Sequence, residues 1–270
     1  MTTVRVISAA GLALIEDRGR PGHMHEGVPP GGAMVPALLA AANRAAGNPP
    51  GAAAIEVHGA IAVEASVPLQ AATTEELVML APGAAVRVIA RGRPRVEYLA
   101  VAGGLEVPAV LGSRGTLLVA GLGGHEGRAL RAGDVLRVGG DAGTATPPRL
   151  PAGLGAGGQL RVILGPDSGD TAALLGGTFT VTSVGDRTGV RLAGPVVRAR
   201  KPAGMSAPMV RGAIQTTPSG ELVVLGPDHP TTGGYPVIAV ILAADVDLVL
   251  AARPGVTFRF RAPPATRTRS

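Results

Sequence analysis

The chain has no cysteine and no tryptophan, two tyrosines, three phenylalanines and a single lysine, Lys201, in 270 residues. Without cysteine there is no disulfide, no thiolate nucleophile, no cysteine-ligated zinc and no iron–sulfur ligation. So few aromatic rings leave little to stack on bases. The net charge of +6 is almost all arginine, scattered rather than gathered into a basic stripe. Nucleic acid is therefore not an expected partner. A GxxxxGK[ST] phosphate loop and a GxSxG elbow are both missing, which excludes ATP held by a P-loop and the common serine-hydrolase route. Lys201 lies in Arg200-Lys201-Pro202-Ala203-Gly204-Met205, not between two methionines, so the chain is not itself a biotin carrier of that kind. Long apolar runs are also missing. Val6 to Ile15 ends on Glu16-Asp17-Arg18 without a small-residue cleavage site, and Val237 to Ala252 is broken by Asp245 and Asp247. The expectation is a soluble cytoplasmic protein with no membrane partner.

What the chain has in quantity is turn formers, 41 Gly and 24 Pro, and aliphatic residues that bring the apolar share to 46% against 16% charged. That balance describes a folded chain of short strands around an aliphatic core. In the first half, strands are expected over 3–9, 12–17, 54–57, 60–64, 76–80, 85–91, 95–101 and 134–138, with Gly11 as a turn between the first two. In the second half they are expected over 159–164, 178–184, 191–193, 196–200, 221–225, 238–241, 248–251 and 257–261. One segment reads as a helix, Val35 to Ala46, with Pro36 in its first turn and Gly47-Asn48-Pro49 as its stop; Thr171 to Leu175 reads as a short second one. The fold class expected is mainly β, two tandem β-barrel domains with one or two short helices, because closed barrels bury many short strands economically.

The two halves echo each other. Val4-Arg5-Val6-Ile7 opens the first and Leu160-Arg161-Val162-Ile163 the second, while Arg131 to Arg137 and Arg253 to Arg259 close them. Asp17-Arg18-Gly19 and Asp186-Arg187-Thr188-Gly189 add a looser third echo. The division expected is a first domain over 1–138, a Gly/Pro-rich linker over 139–158, a second domain over 159–262 and a flexible tail over 263–270.

Several loops have the composition of a binding site. His229-Pro230-Thr231-Thr232-Gly233-Gly234-Tyr235-Pro236 joins hydroxyls and exposed backbone N–H groups, suited to an anion or a carbonyl oxygen, or else forms a tight turn into the next strand. Gly112-Ser113-Arg114-Gly115-Thr116 sets a hydroxyl beside a guanidinium, and Gly212-Ala213-Ile214-Gln215-Thr216-Thr217 carries an amide and two hydroxyls. Gly27 to Met34 delivers the chain to a helix N-terminus, which favours a negative group. His23, His25 and Glu26 read as a polar loop in preference to a metal site, so no metal is expected, and His58 and His125 have no partner suggested by spacing.

These segments, with Glu16-Asp17-Arg18-Gly19-Arg20-Pro21-Gly22, Gly32-Ala33-Met34, Leu99-Ala100-Val101-Ala102-Gly103-Gly104, Leu111-Gly112-Ser113-Arg114 and Thr231 to Pro236, resemble the biotin-dependent carboxyltransferase-like family. That family includes allophanate hydrolase subunit 2, the KipA-type proteins and one of the subunits of 5-oxoprolinase. The resemblance implies cyclophilin-like barrels and a companion subunit similar to KipI or allophanate hydrolase subunit 1. It further implies a third oxoprolinase subunit and ATP-dependent opening of 5-oxoproline to glutamate, with ATP bound with or by the partners. On that reading Gln215, His229, Tyr235 and Arg187 are the catalytic candidates, and Ser113, Arg114, Thr231, Thr232, Gly233 and Gly234 bind the small-molecule substrate. The alternatives are a carboxyltransferase working with biotin, or a non-enzymatic KipA-type regulator of a KipI-like kinase inhibitor. The chain departs from the family pattern at Gly31, Val35 and Pro230, where Ser, Asp and Gln are common.

Overall fold

The computed structural model describes residues 1–92, 94–200 and 206–262. Lys201 and the terminal segment 263–270 lie outside the described residues. The chain divides into two compact units, Met1–Leu154 and Gly155–Ser270.

The first unit holds β1 (Thr3–Glu16), α1 (Pro36–Ala45), β2 (Ala54–Ala65), β3 (Leu69–Ala72), β4 (Leu77–Leu80), β5 (Val86–Ile89), β6 (Glu97–Val101), β7 (Leu105–Glu106) and β8 (Val135–Val138). The strands join in the order β4-β3-β6-β2-β1-β8-β7, with β5 also on β2. Val4, Val6, Ile15, Ile55, Val57, Ile61, Val63, Leu99, Val101 and Leu136 pack on one another as one aliphatic core. The two strands expected on either side of Gly11 are one 14-residue strand, and those expected on either side of Gly59 are likewise one. Gly11 (φ +93°) and Gly59 face each other across the ladder, and a Cβ on Gly59 would run into the Ala10 carbonyl oxygen. The glycines therefore allow two long strands to pass closely instead of turning them. β3 was not expected from the pattern.

The first half of the Gly/Pro-rich stretch is hydrogen-bonded to this unit. Gly143 N donates to Gly47 O at 2.8 Å and Thr146 N to Ala45 O at 3.0 Å.

The second unit holds β9 (Gly158–Leu164), α2 (Thr171–Gly176), β10 (Phe179–Gly185), β11 (Gly189–Ala193), β12 (Ala207–Pro208), β13 (Ala213–Thr216) and β14 (Leu222–Leu225). It continues with β15 (Thr232–Gly233), β16 (Val237–Ile241), α3 (Ala243–Leu250) and β17 (Thr257–Arg261). Seven strands close a barrel in the order β10-β11-β14-β13-β16-β9-β17. Period-2 alternation turns Leu160, Val162, Phe179, Val181, Val190, Leu192, Val224, Phe258 and Phe260 inward, all fully buried or nearly so. The Phe179 and Phe260 rings meet with centroids 5.2 Å apart. β13 departs from alternation, with all four residues buried. The short β12–β15 ribbon accounts for this: Met209, next to it, packs with Ala213 and Leu225 on the opposite face of the sheet.

Two expected strands are replaced. Residues 248–250 belong to α3 and Ala251 caps it, because Val246, Val249 and Leu250 recur at helical spacing and Asp245 near its start is held by Arg161 at 2.6 and 2.9 Å. Residues 196–200 form no ladder; Val197 O accepts from the Thr216 hydroxyl and Arg198 O from Asp170 N, so these backbone groups are satisfied outside any ladder.

The opening echo is out of register. In the first unit Gly133 N donates to Val6 O and Val6 N to Asp134 O; in the second, Gly255 N donates to Val181 O and Val181 N to Val256 O. The structural counterpart of Val6 is thus Val181 on β10, not Val162 on β9. Consistent with that, Asp17 follows the end of β1 as Asp186 follows the end of β10.

Candidate functional site

β11, β14 and β13 lie side by side, and their register sets Arg191, Val223 and Gln215 in one row: Arg191 opposite Val223, Val223 opposite Gln215. Cross-strand partners share a face. This is the outer face, since Val190, Leu192 and Val224 point into the barrel. The row floors a cavity of about 750 Å³ lined also by Asp186, Thr188, Thr217, Leu225, Pro230, Gly233, Gly234 and Tyr235. Its rim is the Pro230–Tyr235 loop, tied down where Met209 N donates to Thr231 O at 3.0 Å and Thr232 pairs with Pro208.

Gln215 is buried, and its Nε2 donates to Met209 Sδ at 3.2 Å and Tyr235 O at 3.3 Å. Both donors of the amide are thereby turned toward protein, while Oε1 makes no hydrogen bond among the described residues. Gly233 makes room for it: a Cβ there would stand 3.0 Å from Gln215 Nε2 and 3.3 Å from Met209. Arg191 is half-exposed and lies 3.3 Å from Glu221. Asp186 turns its carboxylate to its own loop, accepting from Thr188 N at 2.7 Å and Gly189 N at 3.3 Å. Tyr235 also borders a neighbouring cavity of about 580 Å³ lined by Arg198, Thr217, Ser219 and Pro236.

Of the residues expected from sequence, Gln215, Tyr235, Gly233 and Gly234 meet at the larger cavity, while Thr231 and Thr232 hold its rim without lining it. His229 is buried behind the rim, its Nδ1 2.8 Å from Pro230 O, and does not line the cavity. Arg187 does not line it either. Its guanidinium is buried in a two-pronged pair with Asp228 at 2.8 and 2.9 Å, which makes it a brace of the loop leading to His229. Ser113 and Arg114 belong to the first unit. The Ser113 hydroxyl donates to Asp17 Oδ1 at 2.5 Å and Arg114 N to Asp17 Oδ2 at 2.6 Å, while Arg114 Nε donates to Val107 O. Asp17 thus organises the Gly112–Gly115 loop. Arg191, Val223, Asp186 and Thr188 were not expected as site residues. The signal for Arg191 is its place between inward Val190 and Leu192, which turns it to the outer face; which strands flank it is not written in that pattern.

The α1 N-terminus is closed to an outside anion. Met34 N donates to Glu56 Oε2 at 2.7 Å and Val35 N to the Tyr98 hydroxyl, which donates to the same carboxylate at 2.6 Å. His58 Nε2 lies 2.6 Å from Glu56 Oε1, the partner that spacing did not suggest. The chain supplies its own negative group there. His125 Nε2 is 3.4 Å from Asp134, and His23 Nδ1 is 2.6 Å from Glu26, whose carboxyl is lowered by that hydrogen bond. Among the described residues no three His, Asp or Glu are grouped to hold a metal ion, and no helix is long and apolar enough to cross a membrane.

Residues 26–262 match the family described as carboxyltransferase domain, subdomain A and B. The chain is 31% identical to a 5-oxoprolinase subunit of Escherichia coli, over 90% of this chain and 86% of that one. It is 28% identical to urea amidolyase of Lachancea kluyveri over 94% of this chain but only 16% of the relative. Among solved structures it superposes on TTHA0988 with a TM-score of 0.86 at 32% identity, covering 97% of this chain and 56% of that one. The chain thus spans little more than half of TTHA0988. Urea carboxylase of Kluyveromyces lactis shares the fold, with a TM-score of 0.81 at 24% identity over 96% of this chain and 27% of that one. The chain belongs to the carboxyltransferase domain family, subdomains A and B.

Proposed function

We propose that the chain is one component of an ATP-dependent 5-oxoprolinase and that the outer-face cavity of its second unit receives the lactam. The observation that carries this reading is the buried Gln215 carboxamide at the cavity, whose Oε1 has no donor among the described residues. A lactam N–H is a donor that such an oxygen can accept from. The likeness to the 5-oxoprolinase subunit of Escherichia coli, and to that of Haemophilus influenzae at 31% identity over 96% of this chain, supports the substrate.

Opening the lactam is uphill without ATP, so the carbonyl must be activated before water attacks. This chain's part is to bind, orient and shield. Gln215 fixes the amide edge, Tyr235 and the glycine rim limit access of water, and Val223 and Leu225 supply an apolar floor. Among the described residues the cavity brings one arginine and no lysine to its wall, and the chain has no P-loop, so ATP is assigned to a companion similar to KipI or to a third subunit.

A second reading rests on the carboxyltransferase family itself and the likeness to urea amidolyase. In it the same cavity receives a carboxylated biotin from another protein, with Gln215 and the Gly233–Gly234 backbone holding the ureido ring; biotin would supply the activated carboxyl group. The test is glutamate release from 5-oxoproline by the complex isolated from its host, with and without ATP. ATP-dependent release that Gln215→Ala lowers by about tenfold or more while partners stay bound supports the oxoprolinase. Carboxylation of a urea-type acceptor by that complex, with no glutamate, replaces it with the second reading.

A further inference from the structure

We propose that Arg191 selects the substrate by its carboxylate, with Val223 as spacer and Gln215 as the amide reader at the other end. The inference rests on the lactam reading above and adds to it the residue that recognises charge. Arg191, Val223 and Gln215 occupy one row on three adjacent strands. With strands about 5 Å apart, the outer two Cα atoms are separated by roughly 10 Å. A ligand held between a guanidinium and a carboxamide carried on those positions is a small molecule, not a peptide or nucleotide. The floor between them is a valine, so the middle of the ligand is apolar. A cation, an apolar step and an amide acceptor in that order describe a short acid that carries an amide or ureido N–H a few bonds from its carboxylate.

Arg191 is suited to the task because its present partner is weak. Glu221 is 3.3 Å away through a single nitrogen, and both side chains are about half exposed, 46% and 48%. Exposed pairs of this kind hold little energy, so a ligand carboxylate in a drier, two-pronged contact displaces Glu221 readily. The acid on the cavity wall, Asp186, has one carboxylate oxygen committed to the Thr188 and Gly189 amides. Arg187, four residues earlier, is not available for this role, being locked to Asp228.

The experiment is equilibrium binding to the intact complex at neutral pH by two matched pairs: 5-oxoproline against 2-pyrrolidinone, and N-carbamoylglycine against N-methylurea. Each pair differs by the carboxylate. At least one acid should bind tighter than its neutral counterpart, and Arg191→Ala should remove that preference, lowering affinity for the acid by roughly tenfold or more while leaving the neutral ligand unchanged. Arg191→Lys should restore part of it. Glu221→Gln, which frees the guanidinium and removes a surface charge, should tighten the acid and leave the neutral compound alone. A preference that survives Arg191→Ala in a variant with unchanged unfolding midpoint overturns the proposal, as does an absence of preference in the unaltered complex. Binding that follows Arg191 with no ATP-dependent glutamate would sink the oxoprolinase reading and leave this one standing.

Discussion

Perturbing the Arg187–Asp228 pair tells whether Arg187 braces the fold or acts on substrate. Its two hydrogen bonds, 2.8 and 2.9 Å, join side chains with 4% and 10% of their surface exposed. Asp228 N also donates to Arg187 O at 3.1 Å, so the pair clamps the end of β10 to the segment that becomes the cavity rim. Arg187→Met keeps much of the side-chain volume but takes the guanidinium away from a buried carboxylate. Removing one member of such a pair costs about 3–5 kcal/mol, because the survivor keeps its desolvation cost and loses its counter-charge. For a unit of this size that corresponds to a fall in melting temperature of roughly 10–20 °C. The double variant Arg187→Met/Asp228→Leu removes both charges together and should cost less than Arg187→Met alone. Urea unfolding of the four members of that cycle gives the coupling energy directly. Should Arg187→Met shift stability by less than about 0.5 kcal/mol while abolishing turnover, the brace argument fails and Arg187 acts on substrate.

Other perturbations test other links. Gly233→Ala sets a methyl 3.0 Å from Gln215 Nε2, so turnover should fall with little loss of stability, checked by the ratio of kcat/KM to unfolding midpoint. Gly59→Ala collides with the Ala10 carbonyl and should destabilise the first unit by about 1–3 kcal/mol in denaturant unfolding. Asp134 is held at about 2 by the Arg128 guanidinium, helped by Arg131 N and His125 and opposed by burial. Its folded value lies below its unfolded one, so its stabilisation is fully present above about pH 4 and is lost as pH falls toward about 2. Asp134→Asn should cost about 1–3 kcal/mol at neutral pH, and the gap from the unaltered chain should close in acid, measured by unfolding at stepped pH.

Short-range signals located the elements better than they located their partners. α1 was legible because Pro36, the Ala/Leu run and Gly47-Asn48-Pro49 are local punctuation. The two long strands were not, because a glycine in a strand looks the same whether it turns the chain or admits another backbone. The apolar run that became α3 is short enough to satisfy both periods, and Arg161 reaching to Asp245 from 84 positions away helps decide it. The misplaced opening echo has the same origin: Val4 and Leu160 share a motif, but hydrogen bonds to Gly133 and Gly255 show that Val6 corresponds to Val181.

The candidate site was half legible for a related reason. Gly233, Gly234 and Tyr235 are conspicuous in sequence because a binding loop and a turn use the same residues, and the structure makes that loop the rim of a cavity. Polar residues within a loop proved a poorer guide. Ser113 is held by Asp17, Arg114 reaches Val107 O through Nε, and His229 lies buried behind the rim. The informative polar residues sit on strands instead. Gln215 and Arg191 face outward from a barrel wall whose inward neighbours are aliphatic, and such an outward residue is ordinarily just solvated. What sets the candidate site apart is the β12–β15 ribbon and the Pro230–Tyr235 loop beside that wall, where Gln215 is a buried amide. A polar side chain on the outer face of a barrel therefore becomes a candidate ligand reader when a later segment covers it, and the four buried residues of β13 mark where that cover lies.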